Sequence, residues 1–150
     1  MWITLVRTDN SPAQLFTRLA LGVVMFPHGA QKVFGWYGGS GFAGTIQAFA
    51  DLGFPPWSTV MLMVIEVLGS LLLIVGFLTR LWALGFTVTI TICLVMNHLQ
   101  YGFFMNWFGL QQGEGIEYHL LVLGIAGALI VRGGGLLSVD RALTPDSEVL

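Results

Sequence analysis

Between Leu81 and Gly113 the chain carries no Asp, Glu, Lys or Arg. As a helix, about 20 mostly apolar residues cross the hydrocarbon layer of a bilayer, and this stretch is longer than that. The rest of the chain agrees: of 150 residues, 55% are hydrophobic and 9% charged, against about 25% charged in soluble domains. So short a chain has too little interior to hide that much apolar surface. The composition therefore predicts an all-α integral membrane protein of a single domain, with the lipid bilayer as its first partner.

The charge pattern removes other classes. A net charge of −2 without a basic tract gives no footing for nucleic acid. The single cysteine, Cys93, excludes a disulfide framework and a CxxC redox motif. Redox chemistry would need a bound cofactor or a partner protein. Residues 1–14 are mixed in character and Arg18 interrupts the apolar run that follows, which does not fit a cleavable signal.

Four segments qualify as spans: Leu15–Phe34, Trp57–Leu78, Leu81 to about Phe103, and about Ile116–Val131. With both termini cytoplasmic, Arg7, Arg18, Arg80, Arg132 and Arg141 all fall on the inner side, as the positive-inside bias requires. Only Lys32 lies outside. The expectation is a multi-pass domain over residues 1–143 with a polar, frayed tail over 144–150. In the first outer loop, Phe42, Ala43, Ile46, Phe49 and Ala50 recur at helical spacing between Gly41 and Gly53. They predict a short amphipathic helix at the interface. Trp36, Tyr37, Trp57, Tyr101 and Trp107 mark the same level.

Polar residues inside these spans carry the functional signal. At ~1.5 Å per residue, His28 lies ~6 Å below Lys32, and Glu66 lies ~13 Å below Trp57, near mid-membrane. His98 closes the third span, and Glu117 and His119 open the fourth. Rotation at ~100° per residue sets Gln14, Arg18, Met25 and Lys32 on one stripe of the first helix. On the second, Glu66 shares the stripe Leu62, Glu66, Gly69, Leu73 and Gly76. On the third, Thr87, Thr91, Leu94 and His98 share a face. Glu117 and His119 are ~160° apart, and Glu117 is expected to face the bundle because it shares its side with Gly124 and Ala128. Pro27 removes a backbone hydrogen bond beside His28, and Gly29 leaves room for a neighbouring helix.

Each residue has a plain reading. Lys32 and Arg18 read as snorkelling anchors, the latter on the cytoplasmic side, and His28 as an interhelical hydrogen-bonder. Cys93 reads as packing. Glu66 resists, because a charge at the bilayer centre costs about 2.5–3.5 kcal/mol unless paired or wetted. Lys32 or His28 is its natural partner. Together these groups predict a polar cavity opening outward. A quinone headgroup suits such a place: it needs donors to its carbonyls, a proton acceptor and aromatic walls, which His28, Lys32, Glu66, Phe104 and Trp107 would supply. The three histidines leave haem or a metal open, but none has the spacing of a dedicated ligand motif.

"LFTRLALGVVMFPHGAQKVFG" followed by "GGSGFAGT" resembles the opening of DoxX family membrane proteins. "VIEVLGSLLLIVGFLTRLWAL" resembles their second-helix signature. "GEGIEYHLLVL" and "GGGLLSVDRAL" are similar to the fourth helix and its exit. The resemblance covers about Gln14 to Leu143. It implies a four-helix inner-membrane protein of the DoxX/DoxD type, a name tied to subunits associated with terminal quinol oxidase and with thiosulfate:quinone oxidoreductase. On the matching positions it points to His28, Lys32, Glu66, Arg80 and Glu117.

The expected function is a redox-associated membrane subunit binding quinone in the outer half of the bundle. Glu66, His28 and Lys32 would act as the catalytic set, and His28, Lys32, His98, Glu117 and Trp107 would hold the ligand. Soluble or membrane redox proteins are the expected partners, and the glycine stripe on the second helix suits a homo-oligomer. Two alternatives come from other classes: a small transporter for an ion or polar solute, and a scaffold that only positions soluble redox partners.

Overall fold

The computed structural model describes residues 2–150, and among these every regular element is helical. Besides 3-10 turns at Trp36–Gly38 and Asp146–Glu148, they are in chain order α1 (Trp2–Val6), α2 (Pro12–Phe34), α3 (Gly41–Asp51), α4 (Pro56–Val75), α5 (Thr79–Tyr101), α6 (Glu117–Arg132) and α7 (Val139–Leu143). The long helices begin and end where local chemistry dictates. Ser11 caps α2, its hydroxyl accepting from the Ala13 amide, with Pro12 in the first turn. Gly35 and Gly76 take left-handed conformations that close α2 and α4. α2 runs through Pro27 as one helix.

Two helices, α4 and α5, are long and apolar enough to cross a membrane, and only 33% of each apolar stretch is buried within the molecule. The core helix of a soluble protein would be mostly covered. Here Met61, Val64, Leu68, Leu71 and Val75 form an exposed apolar stripe on α4, and Leu81, Leu84, Val88, Ile92 and Val95 form another on α5. α2 is as long as α5, at 23 residues, but carries Arg18 and Lys32; α6, at 16 residues, is ~24 Å long.

α2, α4, α5 and α6 share one core: Leu21 and Met25, Leu73, Ala83, Phe86 and Ile90, and Val122, Ala126 and Leu129. The expected stripes on α2 and α4 are the ones that pack, with Gln14, Arg18 and Met25 buried on α2 and Glu66, Gly69 and Leu73 on α4. Gly69 faces Trp82 of α5, so the glycine stripe expected to serve an oligomer packs inside the monomer.

The other two faces differ from expectation. On α5 the buried face is Ala83, Phe86, Ile90 and Leu94, whereas Thr91 is exposed. Thr87 and Thr91 donate to the carbonyls of Ala83 and Thr87, so their hydroxyls need no neighbouring helix. On α6 the packed stripe is His119, Val122, Ala126 and Leu129. Gly124 is exposed, with nothing within 4 Å of a Cβ placed there, because Val122 and Leu129 provide more apolar contact than the glycine side does.

One end of the bundle is sealed, and both chain ends lie there. Arg18 is not a snorkelling side chain; it is 1% exposed. Its guanidinium donates to the carbonyls of Leu73 and Ile74 at the end of α4, and to Gly134 (3.0 Å) and Leu137 (2.8 Å) after α6. Asp140 of α7 accepts from the amides of Leu78 and Thr79, both at 2.8 Å, capping α5 from another element. Arg80 bonds the carbonyls of Arg7 and Val131. The tail is docked, not frayed: the Thr144 hydroxyl donates to Val6, the Leu150 amide to Thr8, and Arg7 to the Glu148 carbonyl.

Candidate functional site

The opposite end is hollow. A cavity of about 760 Å³ opens there among α2, α3, α4, α5 and α6. Two departures from α-helical winding flank it: a π-helical turn over Ile65–Gly69 in α4 and another over Leu94–His98 in α5. Such turns widen the helix by one residue and recur at functional sites. No residue type announces them, so sequence periodicity passed over both.

The first turn carries Glu66, whose side chain is 8% exposed. Lys32 reaches it across the α2–α4 contact, with Nζ 2.8 Å from Oε2 and 3.0 Å from Oε1. Lys32 also donates to the His28 carbonyl at 3.3 Å. The approach depends on Gly29, one turn below Lys32, where a Cβ would come within 2.8 Å of the Glu66 carbonyl carbon. The buried Thr45 of α3 ties that outer helix to α2 by donating to the Lys32 carbonyl at 3.1 Å. α3 is the helix expected in the first outer loop, and its Phe49 lines the cavity beside Phe54, at a ring separation of 5.6 Å.

The second turn carries His98. Its Nδ1 lies 2.9 Å from the Glu114 carbonyl, and its ring centroid lies 4.2 Å from that of His119. His28, Lys32, Glu66 and His98 all line the cavity, as does Tyr118, whose ring centroid is 6.4 Å from that of His28. Four of the sequence-selected residues thus meet at one place.

Glu117 and Trp107 do not line it. Of the two α6 candidates, His119 faces the cavity and is 4% exposed. Glu117 turns toward the loop between α5 and α6, accepting from the Met105 amide (3.0 Å) and the Trp107 indole (3.3 Å). Trp107 is 80% exposed and belongs, with Glu117 and Phe103, to a smaller neighbouring hollow. The aromatic walls come from Phe49, Phe54, Trp57 and Tyr118 in place of Phe104 and Trp107. Arg80, at the sealed end, belongs to the capping network.

Sequence reasoning missed His119 and Cys93 as cavity residues. The spacing of His119, Val122, Ala126 and Leu129 was the available signal for the first. Cys93 follows Phe86 and Ile90 at helical spacing, but its proximity to His98 had no signal, because it depends on the π-turn.

The chemistry available here is that of a partly buried ion pair at the wall of a largely apolar chamber. The volume lies within the ~300–1,000 Å³ of small-molecule sites, and few polar groups among many apolar ones is their usual composition. These features define an all-helical protein with an apolar exterior and one polar-tipped chamber.

The chain belongs to the DoxX family of membrane proteins: the family model for DoxX matches residues 13–99, which include α2 to α4 and most of α5. It is similar to a protein of Bacillus subtilis (strain 168) named "Putative oxidoreductase CatD", at 27% identity over 126 residues, covering 84% of this chain and 83% of that one. No solved structure matches the chain.

Proposed function

We propose that this protein is a redox-associated inner-membrane component that binds a quinone headgroup in the chamber at its outer end. The observation that carries the reading is the Lys32–Glu66 ion pair, set in the wall of a 760 Å³ apolar cavity. The donor set fits a quinone ring. Lys32 and His28 would donate to one carbonyl oxygen, and Glu66 would exchange a proton beside it. Phe49, Phe54 and Trp57 would enclose the ring and exclude water. A bound quinone would supply two-electron, two-proton chemistry. The oxidoreductase name of the Bacillus subtilis relative supports the same class.

The orientation follows from charge. Both chain ends lie at the sealed end, where five of the six Lys/Arg residues also lie. The positive-inside bias puts that end in the cytoplasm, with four spans between. The Arg18 network closes the inner end, which favours a blind binding site over a pathway for an ion or polar solute.

The test is protein purified gently from its own membrane, with quinones in the organic extract identified by mass spectrometry. A stoichiometric quinone that is lost from a His28→Ala, Glu66→Gln double variant supports the reading. Undiminished quinone-dependent electron transfer in Glu66→Gln overturns it.

A further inference from the structure

The wall of the chamber holds a second cluster, distinct from the Lys32, His28 and Glu66 set proposed to contact the quinone. Cys93, His98 and His119 each offer one ligand atom, and these atoms lie within 4.8 Å of one another. Cys93 and His98 are five residues apart, which would leave them ~140° apart around an ideal α-helix. The π-turn at Leu94–His98, with hydrogen bonds spanning five residues, turns them onto one face.

Two further observations point to a ligand. His119 is 4% exposed and its buried Nδ1 meets no partner at hydrogen-bond distance, although the Gly115 carbonyl lies near the ring. A buried polar atom left unpaired costs about 1–3 kcal/mol, which a metal ion or a water at this position would relieve. His98 Nδ1 is held 2.9 Å from the Glu114 carbonyl. With Nδ1 donating, Nε2 keeps a free lone pair and a fixed direction, the way carbonyls orient metal-ligating histidines.

We propose that Cys93, His98 and His119 form a three-ligand site for a borderline-to-soft first-row metal ion, zinc(II) or copper(I), with its fourth position open to the chamber. One thiolate and two imidazoles are the donor set these ions prefer, and three protein ligands with a vacant corner is the arrangement of reactive sites. Bond lengths of ~2.0–2.3 Å put tetrahedral ligand pairs ~3.3–3.6 Å apart. From a spread of up to 4.8 Å, closing to those distances requires shifts of roughly 1 Å. Binding displaces the thiol proton of Cys93, so one proton is released per metal bound. With copper(I) the set is neutral; with zinc(II) it keeps one positive charge for an anionic group in the fourth position.

The experiment is a cobalt(II) titration of the detergent-solubilised full chain after chelator treatment, followed by displacement with zinc(II) or with copper(I) under reducing, anaerobic conditions. We expect one equivalent of cobalt with a thiolate-to-metal charge-transfer band. That band is absent in Cys93→Ser, and binding is at least tenfold weaker in His98→Ala and His119→Ala. Displacement by each ion ranks zinc(II) and copper(I) at this donor set. A parallel measurement needs no variant: bound zinc(II) or copper(I) should slow maleimide labelling of Cys93 in the wild-type protein at least tenfold. Cobalt absorbance unchanged by Cys93→Ser, or labelling indifferent to both ions, overturns the proposal. No readout involves a quinone, so this site and the proposed function stand or fall separately.

Discussion

Gly29 of α2 packs directly on the backbone of Glu66 in α4, so closely that a Cβ would come within 2.8 Å of the Glu66 carbonyl carbon and the Val67 side chain. That approach puts Lys32, one turn further along, within ion-pair distance of the carboxylate. A glycine of α2 therefore positions the ion pair in the chamber wall.

Gly29→Val should force the two helices apart. Overpacking of this kind costs ~1–3 kcal/mol. The expected result is a lower Tm in detergent, together with loss of any Lys32-dependent ligand affinity. Gly124 is the control, because nothing lies within 4 Å of the Cβ position there. Gly124→Ala should be neutral or up to ~1 kcal/mol stabilising, through helix propensity alone.

Breaking the Lys32–Glu66 pair from one side leaves a charge in apolar surroundings. Lys32→Met should cost ~1–3 kcal/mol, below the ~3–5 kcal/mol of fully buried pairs, because the Lys32 side chain is 25% exposed. Adding Glu66→Gln to Lys32→Met should restore much of that stability while ligand binding stays lost. Thermal melts of the four species of this double-mutant cycle measure both effects.

Arg18→Met should be the most damaging substitution at the sealed end. It removes the donors to the carbonyls of Leu73, Ile74, Gly134 and Leu137. At ~1–3 kcal/mol for each buried acceptor left unpaired, a loss of at least ~3 kcal/mol is expected. Arg18→Lys should rescue little, because an ammonium cannot reproduce the planar fork. Yield of monodisperse protein and Tm are the measurements.

Asp140, fully buried outside the long helices, sets a pH dependence. Burial raises its carboxyl above the ordinary aspartate range, opposed by hydrogen bonds from Thr79 and Leu78 and by the charge of Arg18. A folded-state pKa above the unfolded one favours the folded protein most below pH 3.8, and that contribution is lost as pH rises through the folded value. Wild-type stability should therefore fall across that window relative to Asp140→Asn, whose side chain does not titrate. Tm measured against pH for both proteins checks the sign.

Much of this molecule was written in local sequence. The apolar runs, the capping Ser11, the glycines that end α2 and α4, and the polar stripe of α2 follow from residue chemistry that acts within a turn or two. So does the pairing of Glu66 with a cation, because a carboxylate in an apolar helix has few other ways to exist. Three things were decided only when the helices met. Arg18 became a buried clamp because the carbonyls it binds come from α4 and from the segment after α6, more than fifty residues away. His119 faced inward instead of Glu117 because helix rotation follows the sum of apolar contacts, which Val122, Ala126 and Leu129 outweighed. Cys93 and His98 came onto one face through a π-turn, a change of winding that no residue spacing encodes. Local sequence sets which groups are buried; the packing of distant elements sets which of them meet.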